Sequence, residues 1–147
     1  MFDTLLHLHS FLRWVVLIFL IITLVQSFAA KKDPKAGNNL QRTSLILLIA
    51  THITFLIGLY LYFFGDLGFK LLLNSSFGEV MKNKGARFWA VEHLTGMIIA
   101  VALITVGRRK VKAHSFGTAA WLYLIALIII LATVPWPFRD VIGRPLI

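Results

Sequence analysis

The sequence contains no cysteine among its 147 residues. This absence excludes disulfide bonds, metal sites built on thiolates, iron–sulfur clusters and the covalent attachment of a c-type haem. Acidic residues are also scarce: six aspartates and glutamates stand against fifteen lysines and arginines, which gives a formal net charge of +9. Because the basic residues fall mainly between apolar segments, we interpret them as topology signals and lipid-headgroup contacts, and we expect no nucleic-acid partner.

Long apolar runs dominate the remaining sequence, which is 59% hydrophobic and has a mean hydropathy of +0.83. Four runs approach the ~20 residues that a helix needs to cross a bilayer. They cover about 11–30, 44–64, 88–106 and 116–134. The first run lacks the basic start of a secretory signal, so we treat it as a retained helix. We predict an all-α membrane protein in which residues 1–147 form one antiparallel, up-down-up-down bundle of four transmembrane helices.

The connections between these runs predict the orientation of the bundle. The first connection (31–43) and the third (107–115) each carry four basic residues in a short stretch. The second connection (65–87) is longer and mixed, with four basic and two acidic residues. By the positive-inside rule, the first and third connections face the cytoplasm, and both termini face the opposite side of the lipid bilayer.

Two charged residues fall inside predicted spans, where ionisable side chains are costly and are usually paired or functional. Arg13 lies in the first span, and Glu92 lies in the third, within "RFWAVEHLTGM". Both spans start from the same side of the membrane, so the two side chains lie at similar depth. We predict an Arg13–Glu92 ion pair, and whether it serves only to fix the helices or also serves function stays open.

Histidines on different helices indicate a haem site. His9 and His93 approach the same leaflet, and two histidines from facing helices can ligate a haem iron without any cysteine. His52 differs from His93 in depth by roughly 10 Å at 1.5 Å per residue, which makes it the weaker candidate ligand. Haem propionates are well matched by guanidinium groups, and Arg13 and Arg139 are placed at the same edge of the membrane. We therefore predict haem b between His9 and His93.

Three other interpretations of the same residues remain open. The charged and histidine side chains can form a polar lock in a cofactor-free accessory subunit of a larger membrane complex, or in a homo-oligomer. They can instead hydrogen-bond a quinone and relay its protons. A third alternative is a zinc ion at the outer surface, with ligands from His7, His9, Glu92 and His93.

Several stretches resemble a known family. "LLHLHSFLRW", "THITFLIGLYLYF", "RFWAVEHLTGMIIAVALITVG" and "VPWPFR" are similar to segments of small four-helix membrane proteins of Bacteroidetes that are described as cytochrome-b-like. The resemblance covers nearly the whole chain and weakens in the connections. It implies a b-type haem protein of the bacterial inner membrane that transfers electrons and is linked to the quinol pool or to a respiratory assembly. In such a membrane, the positive-inside orientation makes both termini periplasmic. The family-matching histidines are His7, His9, His52 and His93.

Overall fold

The structure is a computed structural model that describes residues 1–139 and 142–144. The described part of the chain is helical, with turns between the helices and no strand. In chain order the α-helices are α1 (Phe2–Lys32), α2 (Gly37–Phe64), α3 (Phe69–Asn74), α4 (Phe77–Lys82), α5 (Lys84–Arg87), α6 (His93–Lys112) and α7 (Phe116–Thr133).

Four of these helices, α1, α2, α6 and α7, are long and apolar enough to cross a membrane. This confirms the predicted all-α membrane class and its four spans. The main difference lies at the start of the chain, where α1 begins at Phe2 rather than near residue 11. The residues before the predicted span therefore continue the same helix, and both His7 and His9 are helical.

The four long helices form a square in which each helix contacts the next one along the chain. The neighbouring pairs are α1–α2, α2–α6, α6–α7 and α7–α1, so α1 and α6 occupy opposite corners. The connections α1–α2 and α6–α7 are short, and with the longer α2–α6 connection they give the up-down-up-down order. Side chains on α1 and α6 can therefore approach one another across the centre of the bundle.

Each long helix buries a narrow stripe and leaves the rest of its apolar surface outside. On α1 the buried stripe recurs every three or four residues, from Val16 and Leu20 to Ser27 and Ala30, whereas Ile18 is about half exposed. In water such exposure would be unfavourable, but a helix that is apolar all round is suited to lipid. The outer faces are therefore the lipid-contacting surface.

The two ends of the bundle differ in charge. The end formed by 31–43 and 107–115 carries eight basic residues, and we call it the basic end. It is closed by a 3₁₀ turn, Pro34–Ala36, and by a tight turn in which His114 has a φ of 57°. The opposite end, where α1 begins and α7 finishes, contains His9 and His93, and we call it the histidine end.

A π-helical turn, Phe88–Glu92, joins α5 to α6. Its defining bond runs from the backbone N–H of His93 to the carbonyl of Phe88, five residues earlier. One extra residue in a turn changes the direction of every side chain before it relative to an uninterrupted α-helix. Such turns are frequent at functional sites, and this one ends at a candidate ligand.

Candidate cofactor site

A cavity of about 450 Å³ lies among the four long helices at the histidine end. Its deep part is lined by Val16 of α1, Thr51 of α2 and Ala100 of α6. Its mouth is lined by the exposed side chains of Asp3 and Asp66. The volume falls within the roughly 300–1,000 Å³ that is typical of small-molecule and cofactor sites.

His9 projects from α1 into this cavity and is hydrogen-bonded to α2. Its Nδ1 lies 3.1 Å from the carbonyl oxygen of Thr54. Because a carbonyl oxygen can only accept, Nδ1 carries the proton, and the neutral ring presents the lone pair of Nε2. Gly58 provides the space, since a Cβ at that position would lie 2.9 Å from His9 Cε1.

His93 occupies the equivalent position on the opposite corner of the square. It lines the same cavity, and its Nδ1 lies 2.7 Å from the carbonyl oxygen of Thr133. That carbonyl belongs to the last turn of α7, where no later helical N–H is available to it. The bond therefore satisfies a helix end and also fixes the histidine tautomer, again with the proton on Nδ1.

The two histidines share a specific arrangement. Each imidazole donates Nδ1–H to a backbone carbonyl of a different helix. Among the hydrogen bonds of the described residues, none uses Nε2 of either ring. Metal-ligating histidines characteristically donate one ring N–H to a carbonyl or carboxylate, which orients the ring and raises the basicity of the other nitrogen. Both side chains thus line one cavity with Nδ1 bonded to a backbone carbonyl and Nε2 without a hydrogen bond among the described residues.

Arg13 lies one helical turn from His9 and also lines the cavity. Its guanidinium stacks against two indole rings, at 5.5 Å from the centroid of Trp14 and 6.0 Å from that of Trp136. His9 lies within electrostatic range of both Arg13 and His93. A positively charged group therefore stands near both imidazoles.

Glu92 has a different partner from the one predicted. Its Oε1 accepts a hydrogen bond from Nε of Arg87 at 2.7 Å, and both side chains are more than a third exposed. The predicted Arg13–Glu92 pairing is therefore corrected to Arg87–Glu92. The cause is local, because the π-helical turn directs Glu92 back toward Arg87 while its neighbour His93 lines the cavity.

Two other predicted site residues lie away from the cavity lining. His52 is exposed on α2, and its Nδ1 bonds to the carbonyl of Leu48 on its own helix at 2.8 Å. Arg139 donates to the carbonyls of Ala132 and Val134, at 2.9 and 3.2 Å. Neither side chain is brought to His9 and His93, which corrects the placement that the sequence indicated for both.

The cavity also contains residues that sequence reasoning missed. Arg144 lines it, with the guanidinium 5.2 Å from the ring centroid of Trp89. Thr51 lines it as well, and its buried hydroxyl has no hydrogen-bond partner among the described residues. Gly58 lines it too, and the structure places this glycine against His9. The seven-residue spacing of Thr51 and Gly58, which puts both on one face of α2, is the sequence signal that could have identified them as cavity residues.

The zinc alternative finds no support in the part of the chain that the structure describes. No group of three or more histidine, aspartate or glutamate side chains converges there as a metal site.

Comparison with known proteins gives no match: no family model, no curated protein and no solved structure is significantly similar to this chain.

Proposed function

We propose that this protein binds haem b in the cavity at the histidine end and serves in membrane electron transfer. The observation that carries the proposal is the pair of imidazoles, each with Nδ1 fixed by a backbone carbonyl and each lining one cavity. His9 and His93, which come from α1 and α6 at opposite corners of the square, would hold the haem iron.

The residues around the pair fit the remaining chemistry of a haem. Arg13 and Arg144 both line the cavity and would hold the propionates, a role that the sequence indicated for Arg13 and Arg139. Most of the deep lining is apolar, as a macrocycle requires, with the hydroxyl of Thr51 as an exception. When bound, the haem supplies one-electron chemistry, and the protein sets its orientation and the polarity of its surroundings.

The partners in this proposal are a quinol or another membrane redox protein. A quinol would supply electrons from within the bilayer. The apolar outer faces of the four helices suit the protein to the same lipid environment. The basic residues at one end favour a bacterial inner membrane orientation with that end in the cytoplasm and both termini in the periplasm.

The decisive experiment is a reduced-minus-oxidised absorption spectrum of the protein purified in detergent, with pyridine haemochrome quantitation. We expect a b-type spectrum at about one haem per chain, in keeping with a single bis-histidine pair. His9→Ala and His93→Ala should each abolish it. His52→Ala is the matched control, since it removes a third helical histidine that does not line the cavity.

Other outcomes separate the competing interpretations. A colourless protein, even after expression with added haem, would rule out the haem proposal. Binding of a ubiquinone or menaquinone analogue by that colourless protein, lost in His9→Ala, would support the quinone site instead. A colourless protein that binds no quinone would support a cofactor-free accessory subunit of a larger membrane complex.

A further inference from the structure

A second polar arrangement lies inside the basic end, about half the bundle away from the cavity. Arg108 of α6 reaches across to α2, where one guanidinium nitrogen, Nη1, donates to three acceptors. The acceptors are the backbone and side-chain oxygens of Gln41 and the hydroxyl of Ser44, each at 3.0 Å. Gln41 in turn donates its Nε2–H to the carbonyl of Val111 at 2.8 Å. The guanidinium is therefore held in one orientation by protein groups.

The hydrogen bonds to α2 use only Nη1 of the guanidinium, so the edge formed by Nε and Nη2 is not used. Within the described ranges, no hydrogen bond involves Nε or Nη2 of Arg108, although its side chain is partly exposed. These N–H groups form the fork that recognises planar or tetrahedral oxyanions in a bidentate manner. A fixed donor pair at a helix end, without a protein acceptor, matches a phosphate group.

The charges nearby have the same sign. Lys112 lies four residues after Arg108, so the two cations share a face of α6, and such like-charge pairs destabilise a helix. Of the two ion pairs in the described part of the chain, Lys70–Asp66 and Arg87–Glu92, neither lies at the basic end. An anion between Arg108 and Lys112 would relieve this repulsion.

The surface that continues from Arg108 toward the middle of the membrane is apolar. Leu45 and Ile49 follow Gln41 at four-residue intervals on the same face of α2. Their side chains are 43% and 52% exposed. A molecule that places a phosphate on Arg108 and hydrocarbon along Leu45 and Ile49 has the chemistry of a phospholipid.

We propose that the groove between α2 and α6 at the basic end is a specific binding site for an anionic phospholipid. The phosphate binds the free edge of Arg108 and the ammonium of Lys112, and an acyl chain lies along Leu45 and Ile49. The occupant is an anionic lipid, because the connections 31–43 and 107–115 carry eight basic residues against the single acidic residue Asp33, and anionic headgroups would balance this excess of positive charge.

The test measures the midpoint temperature of unfolding in an uncharged detergent with added phosphatidylglycerol or phosphatidylcholine. We expect phosphatidylglycerol to raise the midpoint by about 5 °C and phosphatidylcholine to leave it unchanged, as ligand linkage predicts. Arg108→Gln should abolish the rise. Arg109→Gln, which removes an equal charge from the adjacent exposed position, should preserve it.

Two further measurements keep the proposal testable. If Arg108→Gln does not fold, Lys112→Gln leaves the anchor to α2 intact and should still reduce the rise to less than half. Loss of the effect in Arg109→Gln to the same extent would overturn the site in favour of general charge attraction. An equal rise with millimolar inorganic phosphate in place of lipid would overturn the lipid as its occupant.

Discussion

At the scale of single residues, the candidate site depends on the absence of side chains as much as on their presence. The imidazole of His9 fits between α1 and α2 because Gly58 has no Cβ. On the opposite corner, Gly96 makes room for Thr133, whose carbonyl orients His93. Two glycines on different helices thus determine where the two Nε2 atoms can lie.

Gly58→Ala should displace the His9 imidazole. The new methyl group would lie 2.9 Å from His9 Cε1, closer than carbon atoms approach without rearrangement. We expect the variant to lose its ligand, whether this is haem or quinone. Its free energy of unfolding should fall by about 1–3 kcal/mol, as for other overpacked sites. The measurements are haem content per chain and thermal unfolding in detergent.

Gly78→Ala provides the control for this substitution. A Cβ at Gly78 would meet nothing within 4 Å, so ligand content and stability should match the wild type. Wild-type ligand content in Gly58→Ala would show that His9 does not need its present position.

Tyr123 offers a second prediction at this scale. Its side chain is fully buried, and the hydroxyl has no hydrogen-bond partner in the described part of the chain. Because an unsatisfied buried hydroxyl is unfavourable, Tyr123→Phe should leave the free energy of unfolding unchanged or raise it by up to about 1 kcal/mol.

Tyr62→Phe is the matched comparison for this substitution. The Tyr62 hydroxyl donates to the carbonyl of Ala90 at 2.8 Å, so its removal should lower the free energy of unfolding by about 1 kcal/mol. Equal destabilisation by both substitutions would indicate that Tyr123 also holds a polar partner, such as an internal water.

At the scale of secondary-structure elements, the π-helical turn Phe88–Glu92 separates two functions that lie next to each other in sequence. Glu92 bonds outward to Arg87, and His93 lines the cavity. Sequence spacing placed Glu92 and His93 at the correct depth but assigned Glu92 the wrong partner. The error follows from assuming uninterrupted α-helical geometry, because residue periodicity alone contains no signal for an extra residue in one turn.

The Arg87–Glu92 pair should contribute little to stability. Both side chains are more than a third exposed, and exposed ion pairs contribute about 0–1 kcal/mol. We expect Glu92→Gln to keep its ligand content and to lose less than about 1 kcal/mol in the free energy of unfolding. A large loss of haem or quinone in Glu92→Gln, with His93 unchanged, would show that the carboxylate acts on the site directly.

At the scale of the whole molecule, the length and polarity of the apolar runs were sufficient to predict four spans in up-down-up-down order. They were also sufficient to place His9 and His93 at the same end of the bundle, because position along the bundle axis follows from counting residues along a helix. The face of His52 was not predictable, since α2 is apolar on all sides and gives no amphipathic direction. Arg139 was predicted from its position just after the fourth span, and position alone does not show which way a side chain turns.

The orientation of the bundle can be measured directly because the chain has no cysteine of its own. We expect a single cysteine at Ser115→Cys, at the basic end, to react with a membrane-impermeant maleimide only after the bacterial cells are opened. Ser75→Cys, beyond α3 near the histidine end, should react in intact cells. The reverse pattern would place the termini in the cytoplasm and contradict the positive-inside assignment.

The bundle also has a sealed middle. Below the cavity, Leu20, Leu47 and Ile104 meet with no exposed surface, and they separate the cavity from the polar groups around Arg108. The mouth of the cavity, at Asp3 and Asp66, opens at the histidine end. The sealed middle therefore leaves the histidine end as the route by which protons and counterions would reach a ligand in this cavity. A change in the charge of such a ligand would then be balanced from that end, with little charge crossing the middle of the bundle.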